Sequence, residues 1–259
     1  MNSEPTLTTI QNHQPAAEFL KDRNILVTGA ANGIGRAVAV ACASYGATVI
    51  LLDIDSKGLK AVYDEIESKG YPLPIMVPID FQQASMESWE ELAGKLKEEL
   101  NCLHGLIHCA ADVGILSPLD NYDLDTWQRV MHVNFTSAFL LTRACLPLLR
   151  DAGNGSIIFT TADVARQGRA YWGAYAVAGH ALEGLAQVLS HELSGDRPVS
   201  VNTIDPGIVA TQLRNRIYPA EDPSTLRQPQ EVVPLYTYVL EKSLKRELTG
   251  GCLSAQAEE

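Results

Sequence analysis

Short apolar runs rich in β-branched residues recur along the chain: NILVTG (24–29), TVILLD (48–53), PIMVPID (74–80), HGLIHCA (104–110), SIIFTT (156–161) and VSVNTIDPG (199–207). Each is bounded by turn residues and lacks polar alternation, the pattern of strands buried on both faces. Helical segments separate them, over about 33–45, 56–69, 85–100, 125–150 and 171–194, the last two apolar on more than one face. Strand, helix, strand at this spacing needs crossover connections. The pattern therefore predicts an α/β fold built on a single doubly wound parallel sheet with helices on both faces.

Two stretches break the rhythm. Residues 1–20 carry Pro, Asn, Gln and Thr without periodicity and read as a flexible lead-in to one domain over 21–259. Residues 208–235 contain Pro219, Pro223, Pro229 and Pro234, together with Leu213, Ile217 and Tyr218. That stretch reads as an excursion over the sheet edge, an apolar substrate lid for a small-molecule substrate or ligand.

Composition narrows the partners. With 20 Lys and Arg against 31 Asp and Glu, the net charge is −11 and no basic run could neutralise a row of phosphates, so neither nucleic acid nor an anionic membrane is an expected partner. No apolar run approaches the roughly 20 residues of a membrane helix. The five cysteines, Cys42, Cys102, Cys109, Cys145 and Cys252, are scattered and include no C-x-x-C pair. That spacing fits neither a disulfide framework nor a metal site, and a cytoplasmic location is expected.

The sharpest local signal is LVTGAANGIGRAVAV, which sets Gly29, Gly33 and Gly35 between a strand and an apolar helix. Residues without Cβ permit a tight reversal and a close backbone approach, and the helix N-terminus offers free N–H groups to a pyrophosphate. Asp53 ends the next strand, 18 residues past Gly35. Its carboxylate can accept hydrogen bonds from both hydroxyls of an adenosine ribose and would repel a 2′-phosphate, so NAD is expected in preference to NADP. Asp80, with Phe81 beside it, closes the third run and can meet the adenine edge. Glycine turn, helix and carboxylate together describe a Rossmann-type dinucleotide site.

These residues resemble the short-chain dehydrogenase/reductase family over roughly 22–255, and RQGRAYWGAYA and YPAEDPSTLRQPQEVVPLY resemble a bacterial subgroup of poorly characterised oxidoreductases. The family's T-G-x-x-x-G-x-G is met from Thr28 to Gly35, its helix asparagine by Asn134, and its P-G-x-x-x-T by Pro206, Gly207 and Thr211. The resemblance implies that the last motif lies along the nicotinamide ribose and amide. It also implies a cofactor-facing set that adds Asn32, Ile34, Ile54, Ala110, Tyr175 and Ile208 to the glycines and acidic residues above. A homodimer or homotetramer is implied as well.

Family catalysis uses a serine that holds the substrate oxygen, a tyrosine that passes its proton, and a lysine four residues on that acidifies the tyrosine and holds the ribose. Here Tyr175 and Asn134 match, but the serine position is Ala162 and the lysine position is Gly179. The strand-end N-N-A-G reads His108-Cys109-Ala110-Ala111. Oxidoreductase ancestry with an incomplete proton relay, and weak or absent dehydrogenase activity, is the expectation. The alternatives are an acid/base set rebuilt from Tyr175 and its neighbours, for which Asp163 is a candidate, and a non-catalytic NAD sensor or subunit. His180 is expected to point away from Tyr175.

Overall fold

All six apolar runs form strands of one parallel sheet in the structure, a computed structural model that describes residue 10, residues 13–196 and residues 198–255. The strands are β1 (Asn24–Thr28), β2 (Thr48–Asp53), β3 (Ile75–Pro78), β4 (Gly105–His108), β5 (Gly155–Thr160) and β6 (Val199–Asp205). A short strand absent from the hydrophobic pattern, β7 (Cys252–Ser254), completes the order β3-β2-β1-β4-β5-β6-β7. Every pairing is parallel, which confirms the doubly wound α/β architecture.

Alternation along the strands divides the core. Ile25 and Val27 of β1 and Val49 and Leu51 of β2 point to one face, where α1 (Gly33–Ser44), α2 (Ser56–Ser68) and the late helix α8 (Pro229–Leu244) cover them. Leu26, Ile50 and Leu52 point to the other, under α3 (Met86–Leu100), α5 (Ser137–Asp151) and α6 (Gly173–Glu192). The N-terminal residues 13–20 lie against the first face. Leu20 is fully buried there, and His13 Nε2 meets Glu241 Oε2 of α8 at 2.6 Å. Residues 1–9, 11 and 12 of the expected lead-in, and 256–259 at the other end, lie outside the described residues.

Two helical segments differ from the sequence pattern. The stretch 125–150, expected as one helix, is α4 (Leu124–Met131), a π turn (His132–Thr136) and α5. The wider turn places Asn134 inward, where its Oδ1 accepts the Asp112 N–H at 2.7 Å and its Nδ2 donates to the Asp112 carbonyl at 2.8 Å. The proline-rich stretch contains α7 (Gln212–Ile217) and a 3-10 turn (Pro223–Thr225), and by Pro229 it is already helical. Pro229 is tolerated because it sits in the first turn, where its missing N–H would have no helical partner.

The sheet order reverses at β1 and β4, so the carboxyl ends of those strands open a crevice where α/β sheets bind ligands. Trp89 of α3, fully buried and edge-on to Phe81 at 5.0 Å between ring centroids, anchors the loop after β3 at this crevice. Trp89→Ala is expected to cost about 3–5 kcal/mol in urea denaturation. A loss below about 1 kcal/mol would contradict this packing role.

Candidate active site and dinucleotide cleft

A cleft of about 1710 Å³ opens at the carboxyl ends of the strands, lined by the glycine turn, the ends of β2 to β6 and the segment around α7. The turn is built by close backbone approach. A Cβ on Gly35 would lie 2.2 Å from the Gly29 carbonyl oxygen, and one on Gly29 would lie 2.8 Å from the Ala110 nitrogen. Thr28, fully buried, accepts the N–H groups of Cys109 and Ala110 at 3.0 Å each and so ties β1 to the end of β4. Asn32 is the N-cap of α1 but makes no side-chain cap, so no Asn32 side-chain oxygen takes up the orphan N–H groups of the first turn, whose residues Gly33, Ile34 and Gly35 line the cleft. Gly33 has φ +56°, and its missing Cβ would sit 3.3 Å from Thr211 Cγ2 across the cleft. This cradle fits a pyrophosphate.

At the end of the cleft beside β2 and β3 the carboxylates are engaged with backbone. Asp53 Oδ2 accepts the Ala31 N–H and its Oδ1 the Asp55 N–H, each at 3.0 Å, beside the exposed Ile54. Asp80 accepts the Gln82 N–H at 2.9 Å. Phe81 lines the cleft but sends its ring into the core against Trp89.

At the other end Gly207 takes φ +71° after Pro206 and donates its N–H to Asp205 Oδ1 at 2.8 Å. Ile208 is half exposed on the cleft wall. Thr211 caps α7, its hydroxyl accepting the Arg214 N–H at 3.1 Å. His108 is buried, meets the Thr142 hydroxyl at 2.9 Å and stacks on Phe159; burial pushes its imidazole down to about 3, so it is neutral. Cys109 Sγ meets the Thr160 hydroxyl at 3.3 Å, and burial holds the thiol up at about 12.

The structure brings Tyr175 and Ala162 together on the same cleft wall, with Trp172 5.7 Å from Tyr175 between ring centroids. Asn134 lies behind the wall, both side-chain groups engaged with Asp112. Asp112 in turn accepts Arg129 Nε at 2.7 Å. Asp163, next to Ala162, accepts Arg169 at 2.6 Å and the Val164 N–H at 2.7 Å. His180 is exposed, with Nδ1 2.9 Å from the Ala176 carbonyl of its own helix.

Gly179 has a packing reason that the sequence does not reveal. A Cβ there would lie 2.6 Å from the Cβ of Ala165 and 3.2 Å from its Cα. Ala165 belongs to a 3-10 turn (Asp163–Ala165) that Arg166 pins to α6 through Glu183, Nε to Oε1 at 3.1 Å. Glu183 is itself buried and accepts the hydroxyls of Thr161 and Thr203 at 2.8 and 2.7 Å. The lysine position is therefore filled by the chain. Tyr175 is left with burial and the carboxylates of Asp205 and Asp163 as its electrostatic surroundings, and together they push its phenol up to about 12. An ammonium at 179 would have acted in the opposite direction. Ala165, Glu183 and Asp205 were all missed from sequence; only the unusual helix glycine hinted at the first.

Comparison with known proteins agrees with this geometry. Residues 23–222 match the family model described as short chain dehydrogenase. The uncharacterized oxidoreductase YciK of Escherichia coli K12 is 39% identical over 245 residues, covering 95% of this chain and 96% of that protein. Two solved structures described as short chain dehydrogenases superpose with TM-scores of 0.89. One, from Shigella flexneri 2a, is 39% identical, covers 93% of this chain and 99% of its own, and is complexed with NADP. The other, from Escherichia coli CFT073, is 40% identical, covers 94% and 100%, and is complexed with NADPH.

Those two complexes overturn the expectation of NAD in preference to NADP. Asp53 shows why the sequence argument was insufficient: its carboxylate oxygens accept the N–H groups of Ala31 and Asp55, so this acidic residue has a turn-fastening role that is independent of the ribose substituent. A strand-end carboxylate that fastens the turn is not by itself a selector of the ribose substituent. With fold, glycine cradle, tyrosine helix and relatives in agreement, the chain belongs to the short-chain dehydrogenase family of oxidoreductases.

Proposed function

We propose that this chain binds NADP(H) and is an oxidoreductase with an incomplete proton relay, leaving weak or no activity toward ordinary ketones and secondary alcohols. The observation that carries the reading is the coexistence of a complete glycine cradle with a lysine position closed by Ala165. When bound, the dinucleotide would supply or accept a hydride at its nicotinamide ring. The chain's own residues divide the remaining work. Gly29, Gly33, Gly35 and the first turn of α1 hold the pyrophosphate, and Pro206, Gly207 and Thr211 border the nicotinamide end. Tyr175 carries a proton on a phenol at about 12. Such a phenol can protonate an alkoxide, but at neutral pH it offers almost no phenolate to act as a base. Ala162 supplies no hydroxyl and Gly179 no ammonium, and general acid–base help is worth about 10²–10⁴ in rate.

Trp172, Leu213 and Ile217 on the cleft wall, backed by Val113 and Tyr218, fit a small-molecule substrate with a hydrophobic body, under 208–235 as a lid. We further assign one domain to 21–259. A homodimer or homotetramer would cover the exposed Leu124, Phe139, Val177 and Val188 of α4, α5 and α6. Among the described residues no helix is long and apolar enough to cross a membrane, and the five cysteines are free, which supports a cytoplasmic location.

Fluorescence titration is expected to give micromolar NADPH binding, and Gly33→Ala, which strains a positive-φ residue inside the cradle, to weaken it by about tenfold or more. Absence of binding by the parent protein, or unchanged affinity in the variant, contradicts the assignment. Restoring the relay requires space as well as residues. The double variant Ala162→Ser, Gly179→Lys should unfold at lower temperature than the parent and gain little ketone reduction. Adding Ala165→Gly should recover the melting temperature, lower the Tyr175 pKa and raise ketone reduction by about tenfold or more. A double variant as stable as the parent and active with Ala165 in place would refute the closed-position account.

A further inference from the structure

Asp205 is a buried carboxylate at the reacting end of the cleft that no cation contacts directly; the guanidinium of Arg166 acts on it only at longer range, from its ion pair with Glu183. Asp205 ends β6, is 4% exposed, lines the cleft, and accepts the Gly207 N–H at 2.8 Å and the Ser254 hydroxyl at 3.3 Å. Among the described residues no Lys, Arg or His nitrogen forms an ion pair with it. The arginines of the same cleft are committed elsewhere. Arg129 holds Asp112 at 2.7 Å, with Arg216 3.9 Å from the same carboxylate; Arg166 holds Glu183 at 3.1 Å, Arg169 holds Asp163 at 2.6 Å, and Arg214 holds Glu221 at 2.6 Å. The ammonium that would face this end is shut out by the contact of Ala165 with Gly179. A buried charge without a counter-ion is costly, and a bound cation would offset that cost. Burial already lifts the Asp205 carboxyl above its ordinary range.

A second feature points the same way. Trp172 and Tyr175, with centroids 5.7 Å apart, present aromatic surface on the cleft beside Tyr175, where a cation gains from the ring quadrupole. The face of Tyr218 is already taken by Arg214, 3.9 Å from its centroid.

We infer that the substrate of this cleft is a cationic C=N compound, an iminium ion on an apolar body, reduced to an amine. The inference rests on the NADPH-dependent reading above. In carbonyl reduction, hydride arrival creates an alkoxide that must be stabilised and protonated; Tyr175 can give the proton, but the developing negative charge lies beside carboxylates with no serine hydroxyl or lysine ammonium to hold it. An iminium ion needs neither. Its carbon takes the hydride, the π pair of the C=N bond withdraws onto nitrogen, and the product is a neutral amine with the dinucleotide left oxidised and cationic. One positive charge occupies the cleft before and after the step, so Asp205 keeps a counter-charge throughout. The loss of Ser and Lys then costs this reaction little.

The test uses the full chain with NADPH, 2-methyl-1-pyrroline as the imine probe, cyclopentanone as the matched ketone, and calorimetric binding of N-methylpyrrolidinium against neutral cyclopentanol. The imine should be reduced at least about tenfold faster than the ketone, and the ammonium should bind more tightly than the alcohol. Asp205→Asn should lower ammonium affinity and imine reduction together while NADPH affinity stays within about threefold. NADPH binding with the ketone reduced as fast as the imine, or with neither reduced, overturns the inference and leaves the dinucleotide assignment standing. So does an Asp205→Asn variant with unchanged ammonium affinity. No NADPH binding removes the assignment and the inference together.

Discussion

The approach of Ala165 to Gly179 governs the reacting half of the cleft. Its 2.6 Å clearance to a notional Cβ means that any side chain at 179 must push the 163–165 turn away from α6. The turn is not free to move, because Arg166 fastens it to Glu183, and Glu183 is fixed by two threonine hydroxyls from β5 and β6 sides of the sheet. A glycine inside a helix costs about 1 kcal/mol relative to alanine. That cost is offset here by a close contact between turn and helix and by a satisfied buried carboxylate. Tyr175 then lies in a field set by burial and by Asp205 and Asp163, with no ammonium to lower its pKa.

The glycine-turn half of the cleft obeys a different constraint. Its shape is set by main-chain atoms: the close approach of Gly35 to the Gly29 carbonyl, the first turn of α1, and the strand ends joined by Thr28. These are fixed by the sheet and by residues without Cβ, so they persist whatever side chains occupy the catalytic wall. The cradle and the Tyr175 wall are thus built by different parts of the fold. One can be altered while the other stays intact.

Much of this was legible in the sequence because it follows from local pattern. Strands buried on both faces read as unbroken apolar runs, and the glycine spacing reads as a turn that needs close approach. The rest was hidden where the cause is spatial. β7 has three partly exposed residues and no apolar run. The π turn at 132–136 accompanies two hydrogen bonds between Asn134 and the backbone of Asp112, which sits on another loop and is not flagged by the helical pattern. The proline-rich stretch after 208 turns helical at Pro229, since proline in a first turn starts a helix as readily as it ends one. Asp53 was misread as a selector of NAD because its charge is visible in the sequence while its two backbone partners are not. Ala165 is an ordinary small residue until it is seen against α6.

The most direct measurement is the ionisation of Tyr175, followed by nuclear magnetic resonance of ring-labelled tyrosine with Tyr175→Phe to identify its signal. With no ammonium beside it, the phenol is expected to stay protonated through pH of about 10 and to titrate at about 12. A midpoint at or below the ordinary tyrosine value of about 10 would mean that a cationic partner reaches the phenol after all, and would contradict the closed lysine position.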